Sequence, residues 1–197
     1  MKHEDPEIVA MLTEMGLHGV DGNGGTDKGT DHKYTAAYAT LLAKYRDRPI
    51  NFLEIGVFHG GSAALWCKYL PKAKFLFMDI VNNIQQRALQ FIDNERASFL
   101  FADAYKVGSA AKAYELMPYG LDFAIDDGPH SLESMCYFLK LYGPIMRNGG
   151  TMVIEDIQTP AWFETLESCI PPGATTERWD VSRETGRHDD IMLCVHL

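Results

Sequence analysis

Two apolar runs that each end in carboxylates set the strongest limit on how this chain can fold. Leu121-Asp122-Phe123-Ala124-Ile125 closes on Asp126-Asp127-Gly128-Pro129-His130, and Thr151-Met152-Val153-Ile154 closes on Glu155-Asp156. Short apolar runs of this kind are the pattern of parallel strands buried on both faces, emerging at a functional edge. In an open α/β sheet, ligands bind outside the carboxyl ends of the strands. Adjacent placement of the two runs would gather Asp127, Glu155 and Asp156, with His130 one short turn away. Three such carboxylates repel one another unless a cation lies between them, and an all-oxygen set favours a hard ion such as Mg2+.

The rest of the chain supports that sheet. Strand-like runs over residues 50–56, 74–80, 97–102, 121–126 and 151–156 alternate with helical patterns over 62–70, 84–94, 105–117 and 131–146. Alternation over this length implies a doubly wound, Rossmann-like α/β sheet with helices on both faces. Helices are also expected over 6–15, 34–45 and 162–168. Residues 175–182 and 190–197 read as a closing antiparallel hairpin around Glu184-Thr185-Gly186-Arg187, making seven strands with the last antiparallel. Residues 16–31, rich in Gly, Asp and Thr, cannot form a regular element. One structural domain is expected, with N-terminal helices and a covering loop over 1–48 preceding a core over 49–197.

Bulk properties narrow the function. A chain of 197 residues can bury a substantial core, and 46% hydrophobic with 23% charged residues is the composition of a globular protein. Eighteen basic against 27 acidic residues, net −9, disfavours a nucleic-acid partner. No apolar stretch reaches membrane-spanning length and the start is not a signal peptide. Cys67, Cys136, Cys169 and Cys194 lie far apart and read as buried free thiols of a reducing compartment, so a cytoplasmic protein is expected.

Further candidates flank the acids. In Leu53-Glu54-Ile55-Gly56-Val57-Phe58-His59-Gly60-Gly61-Ser62, the glycines allow a sharp turn close to a ligand, and Ser62 can cap the next helix. The segment has neither the P-loop nor the dinucleotide spacing, and Glu54 before the first glycine suits a positively charged amino group. Asp79, ending the second strand beside Ile80, can accept both ribose hydroxyls. Asp103, beside Ala104, could lie near a nucleobase or cap the following helix. His130, three residues after Asp127, can accept a proton from a hydroxyl acidified by a neighbouring cation, or simply open a helix at the surface. The stretch from Asp21 to His32 fails as a calcium loop, having Thr26 at the sixth position and His32 at the twelfth. The run Arg187-His188-Asp189-Asp190 could bind metal but is read in preference as a charged hairpin tip.

Taken in order, Glu54-Ile55-Gly56, Gly60-Gly61-Ser62, Asp79, Asp103, Asp127-Gly128-Pro129-His130 and Ile154-Glu155-Asp156-Ile157-Gln158-Thr159 resemble class I S-adenosylmethionine-dependent methyltransferases. Within these the chain is most similar to the macrocin/mycinamicin sugar O-methyltransferases and the cephalosporin-hydroxylase-like group. Gly25-Thr26-Asp27-Lys28-Gly29-Thr30-Asp31-His32-Lys33-Tyr34 resembles the segment that precedes the core there. The resemblance implies that Asp127, Glu155 and Asp156 hold Mg2+ and that His130 is the general base, with Asp127 beside it. It also implies cofactor contacts from Glu54, Gly56, Val57, His59, Gly60, Ser62, Asp79, Ile80, Asp103, Ala104 and Asp126, with Lys28, His32, Tyr34 and Gln158 toward the acceptor. Two features depart from the family. Asp-Gly-Pro-His replaces Asp-Gly-Ser-His, and the chain is expected to lack both a long substrate-covering insertion after Trp162 and an accessory domain before Met1.

The expectation is therefore a Mg2+-dependent O-methyltransferase acting on a sugar hydroxyl or comparable vicinal diol, without membrane or nucleic-acid partners; the reading is compatible with a homodimer. A catechol-like phenol acceptor and a non-catalytic cofactor-binding subunit are the alternatives. An iron oxygenase would want two histidines and a carboxylate, and only His130 is expected in the cluster.

Overall fold

The structure is a computed structural model that describes residues 4–20 and 24–197, so the first part of the rejected calcium loop, residues 21–23, lies outside the described residues. Helix α1 (Pro6–Met15) begins where the Asp5 side chain accepts the N–H groups of Glu7 and Ile8, and Gly16 ends it at φ 65°. Its Ile8, Leu12 and Met15 face inward at helical spacing. Helix α2 (Thr35–Leu42) follows and continues as a 3-10 turn through Tyr45.

The sheet is built from β1 (Asn51–Ile55), β2 (Lys74–Asp79), β3 (Ala97–Phe101), β4 (Leu121–Asp126), β5 (Met146–Ile154), β6 (Thr175–Asp180) and β7 (Ile191–His196). Their order is β3-β2-β1-β4-β5-β7-β6. The first five run parallel, and β7 is antiparallel to both β5 and β6. The crossovers contain α3 (Gly61–Tyr69), α4 (Gln86–Leu89), α5 (Val107–Leu116) and α6 (Leu132–Tyr142), with α7 (Phe163–Glu167) and α8 (Ser182–Thr185) near the end.

Side chains alternate along each strand and so divide the core into two layers. Phe52, Phe75, Phe77, Phe123, Ile125 and Val153 pack with α1, α2 and α3 on one face. Leu53, Leu76, Met78, Ala124, Met152 and Ile154 pack with α5 and α6 on the other. The register places the site. Ile55 pairs with Asp126, and Asp126 with Ile154, so the chain leaves β4 and β5 at one height as Asp127 and Glu155.

Several local expectations change. Residues 84–94 give only one α-helical turn, because Phe91 and Ile92 bond back to Ala88 and Leu89 in tighter turns. β5 begins at Met146 rather than at Thr151, with a register irregularity in its pairing to β4. Ser62 does not cap α3: Gly60 occupies that position, and the Ser62 hydroxyl donates to Glu54 instead. Cys136 and Cys169 are half-buried, while Cys67 and Cys194 are buried; all four are free. Among the described residues, no helix is long and apolar enough to cross a membrane.

Candidate active site

A cleft of about 800 Å³ opens over the carboxyl ends of β1 to β5. At one end lie Asp127, His130 and Asp156, whose candidate ligand atoms all fall within 4.8 Å of one another. His130 Nε2 is 3.9 Å from Asp127 Oδ1 and 3.7 Å from Asp156 Oδ2. His130 and Asp156 both adopt positive φ, at 52° and 54°, an uncommon conformation for non-glycine residues. Such local strain is held by surrounding structure and is concentrated at functional sites. His130 Nδ1 is buried without a hydrogen-bond partner.

The opposite edges of these carboxylates are held by the N-terminal segment. Lys28 Nζ donates to Asp127 Oδ2 at 2.6 Å and, at closer range, to Glu155 Oε2; Glu54 Oε1 is 3.9 Å away. The Tyr38 hydroxyl donates to Glu155 Oε1 at 2.5 Å, and the Tyr34 hydroxyl to Asp156 Oδ1 at 2.8 Å. His32 Nδ1 lies 2.6 Å from Asp190 Oδ1 and 3.3 Å from Asp156 Oδ1, while its Nε2 faces Asp27 at 3.4 Å. Thus Asp127 and Asp156 each present one oxygen to the cleft and one to this clamp. Glu155 also lines the cleft, with one oxygen accepting from Tyr38 and the other from Lys28.

Burial dominates the electrostatics. It pushes Asp127 up to about 7 despite the nearby Lys28, and Glu155 up to about 7 with Asp127 adding to the effect. Asp156 is raised by burial and by the Glu155 charge. Burial opposes the Lys28 ammonium, but Asp127, Glu155 and Glu54 outweigh it and hold Lys28 well above its ordinary range. For His32 burial is likewise outweighed, by the Asp27 hydrogen bond and the Asp156 charge, lifting it to about 10. Both ring nitrogens of His32 already face carboxylates, Nδ1 that of Asp190 and Nε2 that of Asp27, and those charges favour the protonated ring. Two histidines do meet the acids, contrary to the expectation of one, yet only His130 is free to act as a ligand or base.

The other end of the cleft is lined by Gly56, Val57, Phe58, Ser62, Asp79, Ile80, Asp103 and Ala104. Gly56 has φ 82°, and a Cβ there would lie 1.9 Å from the Asp127 carbonyl oxygen, so only glycine fits. Asp79 Oδ2 accepts the N–H groups of Val57 and Phe58 at 3.0 and 2.9 Å, tying the loop to β2. Asp103 does not cap α5, whose N-cap is Lys106; it accepts the Tyr105 N–H at 3.0 Å in the turn before that helix.

Four expected cofactor contacts and one acceptor contact do not line the cleft. Glu54 is fully buried against α3, accepting from Ser62 Oγ and Trp66 Nε1 at 3.1 Å each, and burial lifts it to about 7. Asp126 accepts the Tyr105 hydroxyl at 2.5 Å beneath the surface. His59 stacks on Phe58 behind the loop, and Gly60 packs toward Ile84. Gln158 folds back on the Asp156 carbonyl at 3.1 Å.

Tyr38 and Asp190 complete the clamp; Tyr38 was not singled out from sequence, and Asp190 only within a run for which a charged tip was preferred over metal binding. Tyr38 reads as one apolar-face position of a helix. Asp190, expected at a solvated hairpin tip, is fully buried because it directly precedes the buried run of β7; that adjacency was the available signal.

Comparison with known proteins gives the context. Residues 53–157 match a family model described as a methyltransferase domain. The chain is 32% identical over 155 residues to the 8-demethyl-8-alpha-L-rhamnosyl tetracenomycin-C 2'-O-methyltransferase of Streptomyces olivaceus, covering 75% of this chain and 39% of that one. It is 31% identical to the mycinamicin VI 2''-O-methyltransferase of Micromonospora griseorubida, covering 66% of this chain and 33% of that one. The chain thus spans between a third and two fifths of the length of these relatives. The fold matches MycE methyltransferase from the mycinamycin biosynthetic pathway in complex with Mg and SAH, with TM-score 0.63, 23% identity, and coverage of 86% of this chain and 42% of that one.

Proposed function

The chain belongs to the methyltransferase-domain family, and on that premise we propose that it is a Mg2+-dependent O-methyltransferase acting on a sugar hydroxyl or similar vicinal diol. The observation that carries this reading is the meeting of Asp127, His130 and Asp156 at the mouth of a cleft whose other end is a glycine-turned loop. Two similar proteins are named as the 2'-O-methyltransferase of a rhamnosyl tetracenomycin and the 2''-O-methyltransferase of mycinamicin VI.

The residues fit both groups that the family implies. For S-adenosylmethionine, the cleft has the volume of a nucleoside-bearing ligand site. Asp79 and Ile80 would hold its ribose side, Asp103 and Ala104 its base, and Gly56, Val57 and Ser62 its amino-acid end. For the cation, Asp127 and Asp156 offer one hard oxygen each toward the cleft, beside His130. When bound, the cofactor supplies an electrophilic methyl and the cation an acidified, oriented acceptor oxygen.

The chain itself supplies position and a proton acceptor. His130 Nε2 accepts the hydroxyl proton, and the Asp127 and Asp156 carboxylates, at 3.9 and 3.7 Å, stabilise the resulting imidazolium. Lys28, His32 and Tyr34 fix the far edges of those carboxylates, so their cleft-facing oxygens stay aimed. Alignment of hydroxyl and methyl then lowers the barrier by proximity.

Calorimetric binding of S-adenosylmethionine with and without Mg2+, followed by a screen of glycoside and catechol acceptors, tests the proposal. Cofactor binding and methyl transfer to a glycoside are expected. Transfer to catechols alone would overturn the sugar assignment, and absence of cofactor binding would overturn the enzyme.

A further inference from the structure

We infer that Tyr105 is a positioning residue through which the filled cofactor end of the cleft steadies the turn Asp127-Gly128-Pro129-His130. The inference rests on the cofactor and metal reading proposed above.

The turn depends on its surroundings. His130 adopts φ 52°, a conformation that neighbouring structure must hold in place. Hydrogen bonds do not fix its ring: Nδ1 is buried without a partner, and Nε2 lies 3.7 Å from Asp156 and 3.9 Å from Asp127. The direction of the imidazole is therefore set by the backbone beneath it. Tyr105 supports that backbone at two points. Its hydroxyl donates to Asp126 Oδ1 at 2.5 Å, on the residue where β4 ends and the turn begins. The same hydroxyl packs against Gly128, where a Cβ would lie 1.9 Å from its oxygen. Asp126 is buried, so losing this donor would leave its carboxylate short of a partner away from water.

Tyr105 is also joined to the cofactor end. It lines the cleft together with Asp103 and Ala104, as do Gly128 and Pro129. Its N–H donates to Asp103 Oδ1 at 3.0 Å, and the Ala104 carbonyl accepts the Tyr142 hydroxyl at 2.9 Å, which ties the segment to α6. The half-buried Tyr105 ring thus bridges the residues proposed to hold the cofactor base and the turn that carries Asp127 and His130. A ligand packed on Asp103 and Ala104 restricts that ring. The turn then has less freedom left to lose when it orders around a cation, so each binding event favours the other.

Calorimetry of Mn2+ binding with and without saturating S-adenosylhomocysteine tests this, since that ligand carries no sulfonium charge to repel the ion. In the unsubstituted protein, S-adenosylhomocysteine should tighten Mn2+ binding by about tenfold, and Mn2+ should tighten S-adenosylhomocysteine by the same factor. In Tyr105→Phe, which keeps the ring and removes the hydroxyl, the gain should fall below about twofold while each ligand still binds alone. A merely structural Tyr105 would weaken Mn2+ binding equally with and without S-adenosylhomocysteine. Tyr105→Phe/Asp126→Asn is measured beside it, because an amide is cheaper to bury than an unpaired carboxylate, and it keeps the test open if the single variant fails to fold. It too should lose the gain, and a full gain retained in either variant would overturn the inference. An unsubstituted protein that binds both ligands with no mutual effect would overturn the inference and leave the proposed function standing. Failure of the unsubstituted protein to bind one or the other would overturn that function, and the inference with it.

Discussion

A Cβ on Gly56 would lie 1.9 Å from the carbonyl oxygen of Asp127, so the turn after β1 and the acid after β4 are in direct backbone contact. The two halves of the cleft are therefore mechanically linked. Gly56→Ala must displace one backbone or the other, and it also forces a side chain into a positive-φ conformation, which by itself costs about 1–3 kcal/mol. We expect a lower melting temperature together with weakened cofactor affinity. Unchanged calorimetric traces for both would show that the contact is dispensable.

Asp79 has a double task. It braces Val57 and Phe58 through their N–H groups and faces the cleft where the ribose is proposed. Asp79→Ala should weaken S-adenosylmethionine binding by about 1.5–3 kcal/mol, the worth of a hydrogen bond to a charged acceptor. Asp79→Asn, which keeps an acceptor oxygen, should lose less. Equal affinity of all three proteins would remove Asp79 from the ribose.

Stability of the metal-free protein should fall as pH rises. Asp127, Glu155 and Glu54 have ordinary values of 3.8 or 4.5 and are raised by burial to about 7 in the fold. Between those limits the folded chain holds protons that the unfolded chain has released, so rising pH favours unfolding. His32 acts in the same direction at higher pH. Its stabilising charge is complete below 6.5 and is lost as pH rises through about 10. Scanning calorimetry without metal should show a lower melting temperature at about pH 8.5 than at about pH 5.5, and Mg2+ should narrow the gap because it binds the deprotonated carboxylates. A melting temperature that rises over this window would contradict the burial of these groups.

His130→Ala should leave cofactor affinity intact and slow transfer by roughly 10²–10⁴-fold, the usual worth of a positioned base. The signature is a fall in kcat with little change in KM, read at saturating Mg2+. Full activity in this variant would pass the base role to another group.

The sheet was legible because β1, β2, β4 and the last half of β5 are buried apolar runs, and because those of β2, β4 and β5 close on acids. Helix α1 was legible in full, since Asp5 and Gly16 mark its ends. The turns were harder. Ile84, Ala88 and Ile92 have helical spacing and do pack inward, yet the chain between them winds partly in tighter turns. The fifth strand was expected only from residue 151, but its irregular pairing with β4 carries it back to Met146 through Gly149-Gly150. The acids themselves were visible, and so was the segment carrying Lys28, His32 and Tyr34. Their pairing was not, because contacts between residues so far apart in the chain leave no local periodic signal. Glu54 illustrates the consequence: alternation along β1 puts it on the α3 face beneath Trp66, although its place before a glycine suggested an open ligand contact.

The central claim is tested most directly by methyl transfer from S-adenosylmethionine to a glycoside diol, assayed as purified, after exhaustive chelation, and after Mg2+ is restored. Asp127 and Asp156 each turn one hard oxygen toward the cleft, so the account predicts transfer that disappears on chelation and returns with Mg2+. Undiminished transfer after chelation would contradict the metal centre and leave the acidic cluster to bind a basic acceptor.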